Sequence, residues 1–134
     1  MSEQRPVELI LARGLMSNIA TPAFLVDTRG TLVFFNDAAG ELLGMRYEEA
    51  GPMELEQWGT RFAPLRLDGR PIPPDELPLA VALREGRPVH LGFCVRSAQG
   101  DARLIEVSAF PIVGNAGLRG AMAIFWDVAV AGTD

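Results

Sequence analysis

Three apolar segments follow one another in the last third of the chain, with only short turns between them. Residues 89–95 and 104–110 alternate along their length, and residues 118–128 form a longer, mostly apolar run. A period of two is typical of β-strands, in which successive side chains point to opposite faces. Short turns join strands in antiparallel order, so this region predicts an antiparallel sheet.

The region before these strands predicts a β-hairpin followed by a short helix. Residues 23–27 and 31–35 are apolar, and Gly30 stands in the turn between them, where a positive φ is often needed. Asn36 is a favourable first residue for the helix, and Gly44 is a favourable end.

Two further helices are predicted outside this hairpin. Residues 7–19 carry an apolar stripe at helical spacing, and residues 76–85 carry another between Asp75, the expected N-cap, and Gly86. Strands and helices mixed in this order around an antiparallel sheet indicate an α+β fold.

The amino-acid composition excludes several classes of function. All 12 basic residues are arginines, so no lysine is present for a Schiff base or a phosphate-binding loop. One cysteine and one histidine are too few for a structural zinc site. A net charge of −5 without a basic cluster argues against a nucleic-acid partner. The chain shows neither a membrane-spanning run nor a secretory signal, which predicts a cytoplasmic protein without a membrane partner.

Several motifs, taken in order, resemble the PAS domains of bacterial sensors. Asn36, Ala39, Leu43 and Gly44 match the Asn-x-x-Ala-x-x-x-Leu-Gly signature of that family. The other similar segments are 24–36 in the hairpin, 68–74 and 78–86 around the long helix, and 106–112 and 120–128 in the closing strands. The resemblance extends from about residue 18 to residue 129.

This resemblance implies a sensor or signalling module rather than an enzyme. Its fold would be a five-stranded sheet with short helices on one face and the N-terminal helix on the other. The chain would then divide into an amphipathic helix at 1–19, a PAS domain at 20–129 and a tail at 130–134. PAS domains that precede an effector usually end in Asp-Ile-Thr, whereas Asp127 is followed here by Val-Ala. Either the domain acts alone or the chain was cut from a longer sensor.

A pocket for a small apolar ligand is predicted between the sheet and the helix at 76–85. Alternation assigns the side chains of the last three strands to two faces. By resemblance to PAS domains that hold a flavin, the face with Val95, Ile105 and Phe125 looks inward, and the small side chain of Ala123 leaves room there. The predicted lining is Phe34, Phe62, Leu79, Leu83, Leu91, Phe93, Val95, Ile105, Val107 and Phe125.

The opposite face of the sheet is more apolar than a face exposed to water should be. Soluble monomers rarely expose such patches, so another surface is expected to cover it. We therefore predict a homodimer built on this face and on the N-terminal helix. The predicted interface is Val7, Leu11, Leu15, Phe110, Met122, Ile124 and Trp126. The alternative is a helix that folds over the sheet of its own chain.

No haem, flavin or metal is expected. Haem-binding PAS domains carry a histidine on the long helix, whereas His90 falls on the polar side of a strand. Light-sensing members hold their cysteine in a helical Asn-Cys-Arg motif, whereas Cys94 lies in a strand. Trp58 is expected to pack in the core rather than against a flavin. Asp127 either relays a signal to an effector or partner protein, or bonds to a nearby group.

Two alternative functions remain. A cone-shaped α+β enzyme of the steroid-isomerase type would need an acid inside the pocket, and Glu106 is predicted to face outward. A purely structural dimerisation domain would have a filled core instead of a pocket.

Overall fold

The computed structural model describes residues 6–61, 63–96 and 100–128, and an antiparallel sheet forms the centre of this part of the chain. Its strands are β1 (Ala23–Asp27), β2 (Leu32–Phe35), β3 (Val89–Arg96), β4 (Ala102–Gly114) and β5 (Gly117–Asp127). They lie side by side in the order β2-β1-β5-β4-β3, and each neighbouring pair is antiparallel. The α+β fold is confirmed, and the first strand pairs with the last at the centre of the sheet.

The helices are α1 (Val7–Met16), α2 (Asp37–Leu43), α3 (Tyr47–Ala50), α4 (Leu55–Arg61) and α5 (Pro78–Glu85), with a 3₁₀ turn at Pro74–Glu76. The predicted cap at Asp75 is wrong, because this residue lies inside the 3₁₀ turn. Leu77 has an extended backbone with φ −69° and ψ 150°, as the residue before a proline prefers. Helix α5 therefore begins at Pro78.

Helix α1 is shorter than predicted, because it ends at Met16 and not at residue 19. The side chains of Ser17 and Asn18 turn back onto the carbonyls of Arg13 and Gly14, at 2.9 Å each. Polar side chains that bond to the preceding turn in this way donate hydrogen bonds to the carbonyls left without a partner at a helix end.

Asn36 is the N-cap of α2 as predicted, and its side chain also connects other segments of the chain. Its Oδ1 accepts hydrogen bonds from the backbone N–H groups of Ala39 and Ala23, both at 3.1 Å. Its Nδ2 donates to the carbonyls of Met16 at 3.1 Å and Thr21 at 2.8 Å. All four bonds that an amide side chain can make in this geometry are formed, so a buried polar group is fully satisfied.

The sheet separates two apolar cores. The inner core lies between the sheet and helices α2, α4 and α5, and the outer core lies beneath α1. The predicted alternation of the closing strands is confirmed: the inner core contains Phe93, Val95, Ile105, Val107, Ala109, Ala121, Ala123 and Phe125. Met122 belongs to the outer core.

Helix α1 packs closely on the outer face of the sheet in its own chain. Leu9 and Met16 are 1% and 0% exposed there. The helix approaches the sheet closely at Gly120, where an added Cβ would lie 3.0 Å from Leu9 Cδ2 and would collide with the carbonyl oxygen of Val26. The folded-back helix that the sequence left as an alternative is therefore the observed arrangement.

Candidate functional site

An apolar cavity of about 50 Å³ lies between the inner face of the sheet and α5. The predicted residues that line it are Leu79, Phe93, Val95, Ile105, Val107 and Phe125. The remaining lining is Phe24, Leu42, Trp58, Pro64, Leu77, Pro78 and Ala123. The cavity is therefore where the sequence placed it, on the inner face of the closing strands.

The shape of the cavity follows from side chains of unequal size on neighbouring strands. Ala123 on β5 pairs with Phe24 on β1 and with Ala109 on β4, and both alanines are almost completely buried. Phe24 stacks on Phe125 with ring centroids 5.3 Å apart. Small residues beside a rigid aromatic pair leave a gap that the neighbouring side chains do not fill.

Three predicted pocket residues lie elsewhere. Phe34 belongs to the outer core beneath α1, where the guanidinium carbon of Arg13 lies 4.4 Å from its ring centroid. Leu83 is one turn beyond Leu79 on α5 and lines a separate surface groove. Leu91 packs at the margin of the inner core, and it does not belong to the lining of the cavity.

Phe62 and the predicted tail at 130–134 lie outside the described residues. Their assignment to the pocket and to a tail stays a prediction.

Trp58 closes one side of the cavity. Its ring is 5% exposed, and its Nε1–H donates to the carbonyl of Gly30 at 3.0 Å. This bond ties α4 to the turn between β1 and β2 and satisfies the polar edge of the ring, as buried tryptophans require. The predicted packing role accounts for this position.

The described lining of the cavity contains no acidic side chain. Glu106 lies on the other face of the sheet and contacts His90 Nε2. His90 also packs against the ring of Trp126, with centroids 5.9 Å apart. An acid–base mechanism of the steroid-isomerase type has no candidate base here.

The cavity does not fit a haem or a flavin as it stands. Pockets for ligands of that size have volumes of roughly 300–1,000 Å³, against about 50 Å³ here. Cys94 alternates with the cavity residues Phe93 and Val95, so it faces away from the cavity. The prediction that no cofactor binds remains a prediction.

The predicted helix stripe faces outward. Val7, Leu11 and Leu15 are 59%, 68% and 59% exposed, and Ile10 beside them is 58% exposed.

The part of the predicted interface that lies on the sheet needs a correction. Met122 is buried in the outer core, and Phe110 and Ile124 pack against that core.

The helix of the same chain therefore covers much of this face: Met122 is buried, and Phe110 and Ile124 are half-buried. Trp126 is 41% exposed and lies beyond α1.

Asp127 ends β5 at the surface. Its carboxylate lies 4.0 Å from the guanidinium of Arg103 on β4, and the acid side chain is 62% exposed. The arginine contact is the plainer of the two roles that the sequence left open. An ion pair so exposed contributes little to stability, and the signalling role of Asp127 stays a prediction.

Within the described residues, no group of three or more His, Cys, Asp or Glu side chains is placed to hold a metal ion. Every helix in the same part of the chain is too short or too polar to span a bilayer.

Residues 11–57 match the family model described as the PAS fold. Among solved structures, the PAS domain of Bordetella pertussis BvgS is similar over 92% of this chain and 88% of that chain, with a TM-score of 0.63 and 16% identity. The PAS domain of nitrogen regulation protein NR(II) from Vibrio parahaemolyticus is similar over 88% and 98%, with a TM-score of 0.60 and 16% identity.

A LOV protein from Rhodobacter sphaeroides is similar over 95% of this chain and 71% of that chain, with a TM-score of 0.70 and 14% identity. Comparison with curated proteins gives no match. At these identities the similarity establishes the fold.

Proposed function

Because this chain folds as a PAS domain, we propose that it is a cytoplasmic sensor or signalling module. It binds a small apolar molecule in the cavity behind α5, forms a homodimer, and passes a change of shape to a partner protein or effector domain. Similar structures come from nitrogen regulation protein NR(II) and from a two-component sensor histidine kinase. Those names support a signalling role for this fold.

The apolar cavity behind α5 is the observation that carries the ligand-binding part of the proposal. It is about 50 Å³, whereas an engineered cavity that binds benzene is about 150 Å³. A ligand larger than a few atoms must therefore displace α5 or Trp58. Such a ligand stabilises the displaced conformation in preference to the closed one, and this difference in affinity is what a sensor requires.

Native mass spectrometry with an ultraviolet–visible spectrum of the purified full chain tests the ligand. We expect a small organic molecule that dissociates under denaturing conditions and has no visible absorption band. Ala123→Phe fills the cavity and should abolish binding, whereas Ala116→Phe in the exposed turn is the matched control.

Overpacking a core costs about 1–3 kcal/mol, and the Ala123 variant has to fold for this comparison. Val107→Ala therefore provides a second test, because it enlarges the cavity and should tighten binding. Unchanged affinity in both cavity variants would contradict the assignment.

The exposed stripe of α1 carries the dimer part of the proposal. Because Leu9 and Met16 hold the other side of α1 on the sheet, Val7, Leu11 and Leu15 project away from it. Two copies of this stripe packed together would bury apolar surface that water otherwise contacts. The proposed interface thus keeps the helix residues of the sequence prediction, Val7, Leu11 and Leu15, and leaves out its sheet residues.

Sedimentation velocity of the Leu11→Glu/Leu15→Glu double variant tests the dimer. We expect a dimer for the parent chain and a folded monomer for the variant. Leu67→Glu, at another leucine that is 71% exposed, is the control and should leave the dimer intact. A parent chain that stays monomeric at high concentration would refute the dimer.

Asp127 is the proposed relay, because it ends the strand that also lines the cavity. In a chain carrying an effector, Asp127→Asn should reduce the response to the ligand without changing ligand affinity. Equal response in both proteins would remove Asp127 from the signalling path.

A purely structural dimerisation domain is the second candidate, and the small volume of the cavity favours it. A dimer that binds no small molecule, either as the parent chain or as the Val107→Ala variant, would support this function over the sensor.

A further inference from the structure

A second recess, which we call the hairpin groove, lies on the surface between the β1–β2 turn and helices α4 and α5. Its volume is about 300 Å³, several times that of the apolar cavity behind α5. Its apolar walls are Val26, Leu55, Leu83 and Leu118. Leu118 is 37% exposed, so the recess opens to solvent along an apolar side.

Two arginines contribute to the same recess. Arg29 comes from the β1–β2 turn and Arg84 from the last turn of α5. No ion pair among the described residues includes the guanidinium of Arg29. Arg84 donates to the backbone carbonyl of Asp75 at 2.9 Å, and its pairing with Glu85, at 3.7 Å, is loose.

The lining therefore combines apolar walls with guanidinium groups that have donors to spare. Arginine binds carboxylates through charge-assisted and often bidentate hydrogen bonds. Asp75 is the acid among the groove residues, and Glu85 is the ion-pair partner of Arg84. Among the described residues, the positive charge in the groove that has no ion-pair partner is therefore that of Arg29. We propose that the hairpin groove binds a small amphipathic carboxylate, with its alkyl chain against the apolar walls and its carboxylate on Arg29 and Arg84.

The groove and the cavity behind α5 share one wall. Trp58 and Leu79 line both, so a ligand in the groove rests against the side chains that close the cavity. A ligand in the groove would thus alter the packing of Trp58 and Leu79 in the inner core. The groove ligand does not depend on the signalling function or on a ligand in the cavity, and either proposal can fail alone.

Octanoate is a suitable probe, and 1-octanol is its neutral counterpart with the same chain length. Titrations of the full chain are followed by calorimetry and by ¹H–¹⁵N spectra. We expect saturable octanoate binding with shifts at the β1–β2 turn and α5. Arg29→Gln/Arg84→Gln should weaken octanoate about tenfold or more through loss of charge-assisted bonds, while 1-octanol changes little.

The matched control is Arg46→Gln/Arg70→Gln, which removes the same charge from arginines that are 71% and 75% exposed. It should leave octanoate affinity within about twofold, since distant surface charges are screened by salt. Equal weakening by both double variants, or no weakening by either, would overturn the assignment of the carboxylate to Arg29 and Arg84. Absence of saturable octanoate binding would overturn the whole inference.

Two further variants locate the alkyl chain. Ala80→Phe, on the groove side of α5, should abolish octanoate binding. Ala123→Phe fills the cavity behind α5 and should leave octanoate binding unchanged. The milder Ala123→Val replaces it if the first variant does not fold. The reverse pattern would place the ligand in the cavity, which overturns the groove site while supporting the proposed sensor.

Discussion

Asn36 provides the sharpest test of how this fold is held together. Asn36→Ala removes the four hydrogen bonds to Ala23, Ala39, Met16 and Thr21. These bonds connect the end of α1, the start of β1 and the first turn of α2. Asn36 is 3% exposed, so its former partners cannot reach bulk water without rearrangement.

The expected loss is the sum of a cap and of unpaired buried groups. Loss of an asparagine N-cap costs about 0.5–2 kcal/mol, and each buried backbone group left without a partner costs about 1–3 kcal/mol. A water molecule in the vacated volume replaces some of the lost hydrogen bonds, so we expect the free energy of unfolding to fall by about 3–4 kcal/mol. For a chain of 134 residues this lowers Tm by about 10–15 °C.

Urea unfolding of the Asn36→Ala variant, followed by circular dichroism, measures this change. The control is Asn18→Ala, because Asn18 is exposed and makes a single bond to Gly14; it should change stability by no more than about 0.5 kcal/mol. Hydrogen exchange of the α1 amides should also become faster in the Asn36 variant. A loss below about 1 kcal/mol for Asn36→Ala, within the range of one ordinary hydrogen bond, would refute the reasoning.

Two other perturbations follow from the packing. Gly120→Ala should destabilise the protein by about 1–3 kcal/mol, because its Cβ meets Leu9 and the backbone of Val26. Gly14→Ala adds a Cβ with no neighbour within 4 Å and should stabilise α1 by about 0.5–1 kcal/mol. Urea unfolding of both variants measures these changes, and equal effects would contradict the placement of α1. Trp58→Phe should lower the free energy of unfolding by about 1–3 kcal/mol, because it leaves the Gly30 carbonyl unpaired. Trp126→Phe, at a residue that is 41% exposed, should change it by no more than about 0.5 kcal/mol. Thermal unfolding that ranks the two variants in the opposite order would contradict the role given to Trp58.

The order of elements and the faces of the closing strands could be predicted from the sequence. Alternation in β4 and β5 put Ile105, Val107 and Phe125 on one face of the sheet, and the resemblance to PAS domains that hold a flavin assigned that face to the interior. Asn36 was identified as a cap from its residue type. Its bonds to Met16 and Thr21 join segments distant in sequence, and no local pattern indicates them.

Local periodicity does not identify the face that Phe34 occupies or the side of α1 that is buried. All four residues of β2 are buried, so alternation gives no cue to which face Phe34 occupies. Helix α1 carries two apolar sides, and the sequence assigned the stripe of Leu11 and Leu15 to a dimer interface formed together with the sheet. The observed side with Leu9 and Met16 is set by the close approach at Gly120, which is a tertiary contact and leaves no trace in helical periodicity.

Methyl-resolved NMR of the full chain under xenon pressure tests the cavity behind α5 most directly, because xenon enters dry apolar cavities without needing a polar group. We predict selective shifts for the methyl groups of Leu79, Ile105 and Val107, which line the cavity. The methyl groups of Leu25 and Val33 in the outer core should stay unchanged, and Ala123→Phe should abolish the shifts. Shifts that are absent, or equal in both cores, would contradict a ligand cavity behind α5.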